Sequence, residues 1–177
     1  MSTNQDRIRK TSTALRILLN IIIVALFAAV GLQLAGILWL GFLGGGETTG
    51  GIYGFFRSGT DGSVAETMIQ FAANILRQGL VIAMLWVAAV IFRDVSREYT
   101  PFSPKHTARL KVISLLMFAL AVIPAPVELL LKIVCLPEQA AVVNFQPMYL
   151  VFTVIFYCLA QIFEYGRALQ QESDQTL

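Results

Sequence analysis

Between two long apolar runs lies the segment RDVSREYTPFSPKHTARLK, residues 93–111. It holds five of the chain's thirteen Lys and Arg residues: Arg93, Arg97, Lys105, Arg109 and Lys111. No other stretch constrains the fold as strongly. Lys and Arg resist translocation, so a short basic segment pinned between two membrane spans stays on the cytoplasmic side. Once that loop has a side, every other element has one too. Composition points the same way: 56% of the residues are hydrophobic and only 14% are charged, against about 25% charged in a soluble domain.

The expected fold is therefore all-α: an integral membrane four-helix bundle forming one domain over residues 1–177. Spans are expected at about 17–40, 75–92, 112–131 and 147–163, each close to the roughly 20 apolar residues that cross a bilayer. Residues 1–14 read as a mobile cytoplasmic arm and 164–177 as a cytoplasmic tail. The first apolar run is longer than the roughly 7–15 residues of a signal peptide's core, so it reads as a retained span. Within it, Gly31 and Ala35 form a small-xxx-small pair that lets a neighbouring helix approach.

Residues 41–62 contain nine of the thirteen glycines. A phosphate-cradling loop needs a Gly-Lys-Ser/Thr ending between strand and helix. None follows here, so the segment reads as a flexible connector. Ser63 and Glu66 form a capping box that opens the second helix. Its helical pattern continues to about Arg97, roughly 50 Å, longer than the roughly 30 Å core. This helix is expected to project, to lie partly along the interface, or to bend near Asn74. Ser103 and Pro104 restart a helix as N-cap and first helical residue. His106, in that first turn, reads as solvated. Pro124 and Pro126 are expected to kink the third span.

Counting cations tests the topology. Ten fall on the inside: Arg7, Arg9, Lys10, Arg16, the five of the central loop, and Arg167. Three fall outside: Arg57, Arg77 and Lys132. That asymmetry places both termini in the cytoplasm. Cys135 and Cys158 then differ by about 16 Å in depth, too far for a disulfide.

Two polar regions are candidate sites. The first lies in the outer half of the bundle: Gln33, Asn74, Arg77, Gln78, Glu128 and Lys132. An uncompensated charge at the bilayer centre costs at least about 2.5–3.5 kcal/mol, so Glu128 is expected to pair with Arg77 or Lys132. The set could bind a small polar ligand or act as a structural salt bridge. The second region is the cytoplasmic face, where the basic loop should lie beside the tail carrying Glu164, Glu172 and Asp174.

There the residues carry a resemblance. Phe92-Arg93, Pro101-Phe102-Ser103 and Arg109-Leu110 in the loop are joined by a tail motif. This comprises Phe163-Glu164-Tyr165-Gly166, Leu169-Gln170, Glu172, Asp174 and Thr176-Leu177. Together they resemble the bacterial domain-of-unknown-function family two-nine-seven-five, mostly from the second helix to the end. The resemblance implies a four-helix inner-membrane protein, of a kind often encoded beside a small Cro/CI-type helix-turn-helix regulator. It supplies no catalytic residues.

The sequence has no Ser/His/Asp set, no metal-ligand spacing and no carboxylate pair deep in the membrane. A non-enzymatic role without cofactor or metal is expected. No basic face suits direct nucleic-acid contact. The expected partners are membrane lipids, a cytoplasmic helix-turn-helix regulator and further copies of the chain. The leading expectation is a membrane tether or sensor for such a regulator. The alternative is a small transporter or export subunit using the outer polar set.

Overall fold

The structure, a computed structural model, describes residues 2–42, 64–98, 104–136 and 146–175. Among them all but four residues are helical and no strand occurs. The helices are α1 (Ser2–Phe42), α2 (Val64–Glu98), α3 (Pro104–Val122), α4 (Pro124–Cys135) and α5 (Met148–Gln175). Four stretches are long and apolar enough to cross a membrane: Thr13–Leu38, Ala65–Val95, Lys105–Cys135 and Met148–Leu169. This is the makeup of a multi-pass membrane protein. Large apolar side chains such as Ile21, Val24, Leu115, Leu130, Val154 and Ile162 face outward. Lipid tails are as apolar as these groups, so such exposure costs nothing in a bilayer.

Helix α1 begins at Ser2 and so includes the stretch expected as a mobile arm. Helix α2 starts one residue after Ser63, which itself lies outside the described residues, and Glu66 stands in its first turn. Its 35 residues make a rod of about 52 Å. Pro104 is the first residue of α3, as its missing amide favours. The glycine-rich connector from residue 43 onward and the loop residues Pro101, Phe102 and Ser103 lie outside the described residues.

The third span is divided at Ile123, between α3 and α4, where Pro124 and Pro126 remove two amide donors. Ile123 nevertheless keeps helical dihedrals (φ −77°, ψ −45°). Its amide bonds to Ala119 O at 2.8 Å, and the Val127 amide reaches Ile123 O at 3.3 Å. The ladder thus resumes on either side of the prolines.

Packing is serial. Among the described residues α1 packs on α2, α2 packs on α3 and α4, and α5 packs on α3. No other pair of helices from different spans is in more than marginal contact. Among the described residues the four spans therefore form an open row, a packing order that the expected four-helix bundle left unspecified. Small residues line the joints: Ala73, Ala121, Ala125 and Ala160 are all buried, Ala160 completely. Small side chains let backbones approach closely, the main way apolar helices attract one another in lipid. Gly31 and Ala35 are not part of a joint. Both are exposed, while the neighbouring Gly36 is buried. The contact face of α1 thus lies round the helix from the expected pair. Between α3 and α5, the Ser114 hydroxyl donates to Thr153 O at 2.9 Å.

Candidate functional site

Glu128 lies on α4 and is buried. Apolar surroundings disfavour a lone carboxylate, so it requires partners. It has two. Arg77 on α2 donates from Nη2 to Oε2 at 2.6 Å. Lys132, one turn further along α4, brings its Nζ to 3.0 Å from Oε1. Arg77 also donates from Nη1 to Asn74 Oδ1 at 3.2 Å. The sequence offered Arg77 or Lys132 as the partner; the structure uses both, one on each carboxylate oxygen. Gln70, Ala73, Asn74, Arg77 and Glu128 line a cavity of about 210 Å³ beside this cluster.

Gln33 and Gln78, expected in the same polar set, do not bond to these residues. Gln33 is buried on α1 at 3% exposure. Gln33 Oε1 and Gln78 Oε1 are shielded from solvent and accept no hydrogen bond among the described residues. Arg16 and Arg93 line one cavity between α1 and α2, and Phe27 and Trp86 line the same one. That antiparallel register brings Gln33 to the depth of Arg77 and Gln78 without bonding it to them.

A second ionic cluster sits near the C-terminal end of α2. Arg109 on α3 donates from Nη1 to Asp94 Oδ2 at 2.7 Å, and Arg93 Nε approaches Oδ1 at 3.4 Å. Lys111 Nζ donates to Glu164 Oε2 at 2.8 Å, joining α3 to α5. The basic segment and the tail helix therefore meet, as expected. Thr107, Ala108, Lys111, Glu164 and Arg167 surround a cavity of about 150 Å³ at this junction. Tyr165 is exposed and Gly166 partly so, while Glu172 is exposed further along α5. Gln170 and Asp174 lie within α5.

Sequence reasoning missed two features here. Asp94 organises the cluster, yet no sequence motif singles it out beside Arg93. The usable signal was an acid embedded in a basic segment. His106, expected to be solvated, is 2% exposed, with Thr107 beside it also buried. Packing accounts for this burial: Arg109, within the same first two turns, is tied to α2 and holds that end of α3 against it.

The two ionic clusters share a geometry. Arg77 and Asp94 are seventeen residues apart on α2, and their partners Arg109 and Glu128 are nineteen apart along the third span. At 1.5 Å per residue these spacings are about 26 and 29 Å, close to the roughly 30 Å hydrocarbon thickness. The two clusters tie α2 to the third span at two points separated by about that distance. No group of three or more His, Cys, Asp or Glu side chains able to hold a metal ion occurs among the described residues. Cys135 and Cys158 are free and exposed.

Comparison with protein-family models, curated proteins and solved structures finds no match to this chain.

Proposed function

We propose that this chain is a non-enzymatic inner-membrane protein, with both termini in the cytoplasm, that tethers a soluble transcription regulator. The carrying observation is the course of α5. The helix continues from Phe163 to Gln175, about 18 Å past the expected span, and its base is fastened to α3 by Lys111 and Glu164. A segment already helical and held at one end loses little freedom when a partner docks, which favours binding. The resemblance of the loop and tail motifs to family two-nine-seven-five supports a helix-turn-helix regulator as that partner.

Orientation is tested by reporter fusions after Lys105 and after Leu177. Both should be active only with a cytoplasmic reporter, because ten of thirteen cations lie on that side. Opposite compartments for the two positions would defeat the topology. The tether is tested by co-purification of the full chain with a helix-turn-helix regulator of the kind that the resemblance implies. The regulator should move to the membrane fraction with the full chain and stay soluble when the chain is cut after Gly166. A regulator that is soluble in both cases would end the proposal.

A small transporter or export subunit is the second reading, favoured by the polar cavity beside Arg77 and Glu128. In that reading Glu128 meets a permeant rather than only its two cations.

A further inference from the structure

The joint between α1 and α2 is not filled. A cavity of about 490 Å³ opens between Val30 on α1 and Gly79, Ile82 and Ala83 on α2, with Phe27 and Trp86 in its wall. The same two aromatics line a second cavity of about 480 Å³, closer to the basic end of the row. The two form one furrow along the joint. Its lower part is wholly apolar. At its upper end stand Arg16 and Asn20 from α1 and Arg93 from α2.

Trp86 is 60% exposed, although it lies seven residues, or about 10 Å, below Arg93. Tryptophan commonly sits at the headgroup level, so an indole lying deeper along an open furrow presents a broad face to an apolar occupant. From Arg93 to Ala83 is ten residues, about 15 Å. That is half of the roughly 30 Å hydrocarbon core, the reach of one leaflet.

Charge selects the headgroup. Among the described side chains at this end, Arg16, Arg93 and Arg109 stand against the carboxylate of Asp94, while Lys111 and Glu164 cancel one another. Arg16 takes part in no ion pair among the described residues. A basic pocket between transmembrane helices recognises the phosphate of an anionic lipid. We propose that the furrow is a binding site for one anionic phospholipid. Its phosphate lies between Arg16 and Arg93, and an acyl chain runs down over Trp86 and Phe27. The site is independent of the tether reading and requires only that the helices span a bilayer.

Trp39 and Trp86 are the two tryptophans of the chain, so the W39F protein reports from Trp86 alone. Reconstituted into vesicles, it is quenched by lipids brominated on the acyl chain, in one series brominated phosphatidylglycerol and in another brominated phosphatidylcholine. Phosphatidylglycerol should associate preferentially at Trp86. Arg16→Gln should reduce the preference about fivefold, and R16Q/R93Q should bring the two lipids to parity. Should the double variant fail to fold, R16Q decides alone, since it breaks no ion pair. Excess inorganic phosphate should leave the preference intact. Equal quenching by both lipids in the parent, an unchanged preference in R16Q, or its loss to inorganic phosphate would each overturn the proposal.

Discussion

Glu128→Ala should destabilise the detergent-solubilised protein by about 3 kcal/mol, read as unfolding in a denaturing-detergent titration. Removing one member of a buried ion pair costs about 3–5 kcal/mol, because the charge left behind has lost its counterion. Here two cations are left, Arg77 and Lys132, drawn to the same place. Arg77 is about one-third exposed, which moves the expectation to the lower end of that range. The triple change R77L/E128L/K132L should come within about 1 kcal/mol of the parent, because an apolar replacement of a whole buried cluster is often close to neutral. If Glu128→Ala is as stable as the parent, the cluster does not hold α4 to α2. If the triple variant folds normally and export or resistance phenotypes of the strain survive, the transport reading falls and the cluster is structural.

Asp94→Asn should cost about 1.5 kcal/mol in the same titration. Hydrogen bonds to charged groups contribute about 1.5–3 kcal/mol, and the asparagine keeps an acceptor while losing the charge. Asp94 and Arg109 are both less than one-quarter exposed, so solvent screens them only in part. The sharper measurement is a double-mutant cycle with Arg109→Gln. Contacting residues in one network show coupling of about 0.5–3 kcal/mol. Additive losses would mean that the 2.7 Å contact does not fasten the loop end of α2 to α3.

These two changes also mark what could be read in advance. Glu128 and Lys132 stand four residues apart, a spacing that puts both on one helix face. Arg77 lies at matching depth on the preceding span, so the far cluster was accessible to counting alone. Asp94 and Arg109 are fifteen residues apart across a loop, and no helical spacing links them. Only the antiparallel return of the chain does. The burial of His106 was hidden for the same reason.

Helix order and span number followed from apolar run length, because bilayer thickness sets that length whatever the packing. The open row did not follow. In water, the stripe of apolar residues shows which face of a helix is covered. In lipid, both faces are apolar, and the contact face is chosen by small side chains and polar bonds. Gly31 and Ala35 had the right sizes but lie on the uncovered side of α1, and the buried Ala160 carries no pattern that distinguishes it from other alanines. The furrow beside Trp86 was likewise invisible, since it depends on what α1 and α2 leave unfilled.

The serial arrangement bears on how the chain is made. Each span leans on the span synthesised immediately before it, so a nascent protein leaving the ribosome can settle pair by pair. No early segment must wait for the last one to arrive. Such near-neighbour contacts keep loop-closure costs low and favour rapid assembly.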